Sequence, residues 1–199
     1  MINPIRIYGL WDEGYALDLY TLSSTYIGED AFGHSRFNNT YSEVGHLLYQ
    51  FKYNGHLDTR EQIAAIAVEF LRTWLKGKDV DSILPCPASM MREIQPVYAI
   101  AYEISELMNI AYTDEILKKD STVVVKNTAK EARNLEGLIT KVKPAKRPCS
   151  ILLIDDIVDT GSTANECVRL LKQDPNIQHV YFLAIAKRRR GSLGEVNPS

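Results

Sequence analysis

Cysteine is scarce in this chain. Cys86, Cys149 and Cys167 stand far apart, and no Cys-x-x-Cys pair occurs. That argues against a zinc ribbon and a disulfide framework. It fits a reducing compartment, so a cytoplasmic protein is expected. Long apolar runs are missing too. No stretch approaches the roughly 18 residues of a membrane span, and Met1–Ile7 lacks signal-peptide architecture. Excess charge of one sign is also absent. The net charge of −2 gives no general nucleic-acid surface. Neither an internal repeat nor a low-complexity tract is visible. What is present is 199 residues, 45% hydrophobic and 24% charged, enough for one sizeable core and a small appendage.

The most informative stretch is Ile151–Thr163, Ile-Leu-Leu-Ile-Asp-Asp-Ile-Val-Asp-Thr-Gly-Ser-Thr. Its four leading apolar residues predict a buried strand ending at Asp155. Asp159-Thr160-Gly161-Ser162-Thr163 predicts a turn. Ala164, Cys167, Val168 and Leu171 then share one helical face, and Thr163 with Glu166 has capping-box spacing. A buried strand thus delivers carboxylates and a loop of N–H groups to one point. Carboxylates suit ribose hydroxyls. A helix N-terminus suits a phosphate, because orphan N–H groups and the helix dipole favour an anion. A ribose 5-phosphate carries both groups. An ordinary βα turn has no need of two acids at the end of a buried strand.

The rest of the chain alternates strand and helix patterns. Ile5–Thr21 predicts a β-hairpin turning at Asp12-Glu13-Gly14. Ser23–Asn39, rich in Ser, Gly and Asn, predicts a loop or linker. Thr40 and Glu43 have capping-box spacing before a helix that Asn54-Gly55 stops. Further helices are expected over Thr59–Leu75 and from Val97 to Met108, and short strands over Val80–Cys86, Val123–Lys126 and His179–Ala186. Asn127–Lys146 is polar, with little periodicity. Such alternation predicts a mainly parallel α/β sheet covered on both faces. Ligands then bind beyond the carboxyl ends of its strands. Two ends matter most: Asp155–Thr163, and Leu84-Pro85-Cys86-Pro87-Ala88-Ser89, which reads equally as an anion loop or a rigid strand exit.

Ile151–Thr163 resembles the 5-phosphoribosyl 1-pyrophosphate (PRPP) motif of type I phosphoribosyltransferases. Three further segments resemble that family's ComF-like branch. Val44–Asn54 looks like its helix ending in Lys-Tyr. Pro85-Cys86-Pro87 looks like its Pro-Val-Pro strand end. Arg133-Asn134-Leu135-Glu136-Gly137 is similar to its Arg-Asn-Leu-x-Gly loop segment. The anchors keep the family's order across Tyr41–Lys187. The resemblance implies a doubly wound, mainly parallel sheet with a small N-terminal β-hairpin appendage. Residues 1–39 would be hairpin and linker, serving as a hood or a dimer element; residues 40–199 would be the phosphoribosyltransferase domain. Three departures stand out. The hairpin replaces a Cys-rich zinc-binding segment. Arg92-Glu93-Ile94-Gln95-Pro96 keeps only the arginine of the branch's Arg-Gly-Phe-Asn-Gln. Asp159 replaces a common Thr and looks like the acid of purine phosphoribosyltransferases.

Roles follow from the resemblance. Asp155 and Asp156 are expected to hold the ribose hydroxyls, directly or through waters on Mg²⁺, the implied cofactor. Asp159, Thr160, Gly161, Ser162 and Thr163 are expected around the 5-phosphate. Cys86, Pro87, Ala88, Ser89, Arg92, Lys130 and Arg133 are expected around pyrophosphate. Asp159 and Arg133 are the catalytic candidates. Asp159 reads either as a general base or acceptor toward the incoming base, or as an Asx-turn residue. Arg133 and Lys130 also read as charges on a solvated helix face, a reading favoured for Lys130.

Lys187-Arg188-Arg189-Arg190 is a short basic run, read as a solvated tail rather than a nucleic-acid contact. Trp11, Tyr15 and Tyr20 suggest a hydrophobic face of the hairpin, in the core or on an oligomer surface. PRPP and a nucleobase-like acceptor are the implied partners, with a homodimer through the hairpin as an option. Neither a membrane nor nucleic acid is expected. Two functions fit: PRPP-dependent transfer to a base, or a non-catalytic PRPP- or nucleotide-binding regulator, a ComF-like accessory to DNA processing. A metal-dependent phosphohydrolase lacks the His or Asp cluster it needs.

Overall fold

Strands buried on both faces build the centre of the molecule. The computed structural model describes residues 1–88, 94–119 and 139–189. Six strands form one sheet: β1 (Ile5–Arg6), β2 (Glu13–Leu19), β5 (Ser82–Pro85), β6 (Ala111–Tyr112), β9 (Cys149–Val158) and β10 (Ile177–Lys187). Their order is β1-β2-β10-β9-β5-β6, and every neighbouring pair except β1–β2 is parallel. Among the described residues, four helices cover the sheet: α1 (Glu43–Tyr53), α2 (Thr59–Trp74), α3 (Pro96–Met108) and α4 (Ser162–Leu171). Two small antiparallel ribbons stand apart, β3 (Thr21–Glu29) with β4 (Ser35–Tyr41), and β7 (Leu117–Lys119) with β8 (Ile139–Lys141).

Alternation along β9 explains the two layers. Leu152 and Ile154 pack with α1, α2 and α3, whereas Ile151 and Leu153 pack with α4. Strand β10 repeats the pattern, with Leu183 and Ile185 on the first face and Val180 and Phe182 on the second. Full burial of one such side chain contributes roughly 1.5–3 kcal/mol. Because both faces are apolar, alternation alone does not fix the register of β9. The acids help to do so, since moving them deeper would take a second carboxylate, that of Asp156, away from Lys52.

The mainly parallel α/β sheet and the N-terminal hairpin are both present. The hairpin differs in detail from the expectation. Glu13 and Gly14 belong to β2 rather than the turn, and β2 also pairs with β10, Tyr15 opposite Leu183. Residues read as linker form most of the β3–β4 ribbon. Two capping boxes are absent as well. Ser42, not Thr40, caps α1, accepting the Gly45 N–H at 3.0 Å. Gly161 stands at the N-cap of α4, and Glu166 pairs with Arg169 instead of reaching back. The brief strand expected at Val123–Lys126 lies outside the described residues. No helix among the described residues is long and apolar enough to cross a membrane.

Candidate active site

Topology creates the crevice. From β5 the chain passes through α3 to β6 on one side. From β9 it passes through α4 to β10 on the other. The connections leave two adjacent parallel strands in opposite directions, so a crevice opens between their carboxyl ends. Pro85 sits opposite Ile154 there. Asp155 and Asp156 follow immediately, still within β9, which runs on to Val158 and so is longer than the apolar run suggested.

Successive strand residues point to opposite faces, so the two acids take different partners. Asp156 Oδ2 meets Lys52 Nζ of α1 at 2.6 Å, with both side chains largely shielded. Asp155 Oδ1 accepts the Asp156 N–H at 2.8 Å. Burial, and next the neighbouring Asp156 charge, push the Asp155 carboxyl up to about 7; Lys52 and Lys119 pull the other way. The cation on Asp156 was not assigned a role from sequence. Its signal was its place, one residue before the end of a helix that faces the acidic strand.

The turn after β9 gathers hydroxyl and N–H groups around one glycine. Gly161 has φ +77°, a left-handed conformation that favours glycine. It supplies no side-chain cap to the first turn of α4. Thr160 Oγ1 lies 2.6 Å from Ser162 Oγ and accepts the Ser162 N–H at 3.3 Å. Hydroxyls and N–H groups of Thr160–Thr163 thus share one small turn. Asp159 is exposed at its start, with Arg188 Nη1 3.9 Å from Asp159 Oδ2. Arg188 follows the end of β10 and donates its N–H to Val158 O at 2.8 Å. It therefore belongs to the site's rim, not to a remote tail. The rule that ligands gather at strand ends carried this signal, once β10 was known to end at Lys187.

A chain of tyrosines borders the same end of the sheet. Tyr20 donates its N–H to Lys187 O at 2.7 Å. Its ring meets Tyr41 at 5.3 Å; Tyr41 stacks on Tyr49 at 5.1 Å, and Tyr49 meets Tyr53 at 5.3 Å. Burial, with the other tyrosines behind it, pushes the Tyr20 phenol far above its ordinary value. Tyr20 had been grouped with Trp11 and Tyr15. In the structure Tyr15 packs on Phe70 and Trp74, away from this row.

The strand-exit side is more closed. Cys86 donates its N–H to Ile154 O at 2.7 Å, and its thiol is buried in one cluster with Cys167. Burial, then the contact with Cys167, push that thiol well above its ordinary range. Pro87 has no N–H, and the Ala88 N–H reaches Tyr98 Oη at 3.4 Å. Cys86, Pro87 and Ala88 thus have their backbone donors committed or missing. Ser89, Arg92, Lys130 and Arg133 lie outside the described residues. No group of three or more His, Cys, Asp or Glu side chains among the described residues is placed to hold a metal ion.

No family model matches this chain. No curated protein matches it either. Solved structures do. Adenine phosphoribosyltransferase from Trypanosoma brucei, in complex with AMP, pyrophosphate and ribose-5-phosphate, aligns over 100% of this chain and 96% of its own at 12% identity, with a TM-score of 0.52. The adenine phosphoribosyltransferase of Saccharomyces cerevisiae aligns over 83% of this chain and 85% of its own at 11% identity and a TM-score of 0.46. UMP synthase of Leishmania donovani aligns over 83% of this chain at 17% identity and a TM-score of 0.42, and there this chain spans only 29% of the larger protein. The full-length alignment with the trypanosomal structure, and a mainly parallel sheet that opens its crevice at Asp155–Thr163, give this chain the type I phosphoribosyltransferase fold.

Proposed function

We propose that this chain is a PRPP-dependent phosphoribosyltransferase. It moves the 5-phosphoribosyl group from PRPP to a ring nitrogen of a nucleobase-like acceptor and releases pyrophosphate. The observation that carries this reading is the position of the acid pair and the glycine turn. Both lie at the switch-point crevice of a type I phosphoribosyltransferase fold.

Each residue has a task in that reaction. Thr160–Thr163 hold the 5-phosphate by N–H and hydroxyl groups. Asp155 and Asp156 hold the ribose hydroxyls. The bond from C1 to the pyrophosphate oxygen breaks as the bond from the acceptor nitrogen to C1 forms. The acceptor's N–H proton passes to Asp159 or to solvent. We assign Arg188, beside Asp159, and Tyr20, bonded to the end of β10, to the acceptor's side. Mg²⁺ fits the donor set in a limited way. Two carboxylates are present, one already paired with Lys52, and Mg²⁺ takes few protein ligands beside phosphate oxygens and water. Asp155 and Asp156 would hold it, and it would neutralise charge on the departing pyrophosphate.

One observation favours a second reading, a PRPP- or nucleotide-binding regulator without turnover. The backbone donors of Cys86 and Ala88 are already engaged, which leaves the described part of that loop little to offer a leaving pyrophosphate. Pyrophosphate release from PRPP, measured with a panel of purine, pyrimidine and unusual bases, separates the two. The enzyme reading expects release with at least one base. It also expects Asp159→Asn to slow release about 10²–10⁴-fold with PRPP affinity nearly intact. Near-wild-type turnover in that variant rejects the role of Asp159. Tight PRPP binding without release from any base favours the regulator.

A further inference from the structure

One indole is enclosed by three glycines, two beside it in sequence and one from the turn into α4. A Cβ built on Gly9 would lie 2.4 Å from Trp11 Cη2, one on Gly14 2.5 Å from Trp11 Nε1, and one on Gly161 3.3 Å from Trp11 Cη2. Gly9 and Gly14 flank Trp11 in the loop and strand that follow β1, whereas Gly161 is the N-cap of α4. Removing side chains at all three positions lets a large flat ring lie directly against the turn's backbone. The ring is held from behind. Trp11 Nε1–H donates to Ile7 O at 3.0 Å, and the ring meets Phe182 of β10 at 4.5 Å between centroids. It is also held from the side. Leu10 N–H donates to Asn165 Oδ1 at 2.8 Å, while the Asn165 N–H makes the first helical bond of α4 to Gly161 O at 2.8 Å. Asp12 adds a second link, to Lys172 at the end of α4.

We propose that Trp11 is a positioning residue for the anion-binding turn. Its indole is the wall that keeps Gly161 left-handed and the first N–H groups of α4 aimed at the 5-phosphate. This rests on the phosphate role given to Thr160–Thr163 above. A rigid wall matters because a turn whose donors are already oriented loses little freedom when the anion arrives. Aromatic burial alone would stabilise the fold and leave ligand preference unchanged. A wall on the turn instead affects the phosphate end of the ligand and spares the pyrophosphate end.

Trp11 and Trp74 are the two tryptophans of the chain, so Trp74→Phe leaves Trp11 as the sole indole. In that protein, ribose 5-phosphate is expected to shift or quench the fluorescence, and Mg²⁺-pyrophosphate is not. By calorimetry, Trp11→Leu is expected to weaken ribose 5-phosphate binding about tenfold and leave Mg²⁺-pyrophosphate binding within twofold. Trp11→Phe, which keeps a ring against Gly161, should restore most of the loss. Equal ribose 5-phosphate affinity in parent and Trp11→Leu overturns the positioning role and leaves the phosphate turn standing. No ribose 5-phosphate binding in the parent overturns both. If Trp11→Leu does not fold, the fluorescence titration decides, and an unresponsive Trp11 in a protein that binds ribose 5-phosphate overturns the proposal.

Discussion

At Asp155 the protein holds a carboxyl group where its charge is least welcome. Its value of about 7 in the folded chain stands above the ordinary 3.9 or so of an unfolded aspartate. The folded state therefore keeps a proton that the unfolded state has lost between roughly pH 4 and pH 7. Stability contributed by this group is full below pH 4 and falls as pH rises toward 7. Above that, the ionised group is a standing cost. Asp155→Asn should thus raise the melting temperature at pH 8 and change it by almost nothing at pH 4. Melting curves across that range check it. A ligand that needs the ionised form should bind more tightly as pH rises through 7, and Asp155→Asn should abolish that dependence. Lys52 adds a second test. Its ammonium favours the ionised form of Asp155 from beside Asp156. Lys52→Met should move the midpoint of PRPP binding against pH upward; an unmoved midpoint means the pair has no electrical link to Asp155.

Among the elements, the turn into α4 depends on its glycine. Gly161 is left-handed, and Trp11 closes the space where a side chain would go. Gly161→Ala should therefore cost about 1–2 kcal/mol of stability and weaken ribose 5-phosphate binding in parallel; chemical denaturation and calorimetry on the same sample read both. The β3–β4 ribbon is the opposite case. Tyr26, Ile27, Phe32 and Phe37 are exposed on it, and a two-stranded ribbon by itself is marginal in water. Hydrogen exchange should find β3 and β4 less protected than β9 and β10, and equal protection would show that something else holds the ribbon. These elements also show what could be read from residue order. The central strands and the four helices of the described residues were legible, because the strands are short apolar runs and the helices repeat their apolar residues at a period near 3.6. The β3–β4 ribbon was not, because Ser, Thr, Gly and Asn separate its few apolar residues and leave no regular alternation. Both capping boxes failed for one reason: spacing identifies candidates, whereas the cap is set by where the chain leaves its strand. Thr40 is still inside β4 and Thr163 is already inside α4, whereas Ser42 and Gly161 stand just before their helices.

On the scale of the whole molecule, the sheet decides what meets what. The acid pair and its turn were legible as a unit because they are contiguous. Lys52, Arg188, Trp11 and the tyrosine row were not, because each reaches the crevice from a different element. Helix α1 supplies Lys52, the end of β10 supplies Arg188, and the loop before β2 supplies Trp11. A one-dimensional pattern holds no record of such convergence; only the strand order β2-β10-β9-β5 brings these segments together. The central claim is that this convergence binds the ribose 5-phosphate part of PRPP. Its most direct test is the thermal shift caused by PRPP with Mg²⁺, in the wild-type chain and in Asp155→Asn/Asp156→Asn. At a ligand concentration a hundredfold above Kd, the wild type should gain roughly 2.7 kcal/mol, and the double variant should lose most of that gain. An equal shift in both proteins, or none in the wild type, would contradict it.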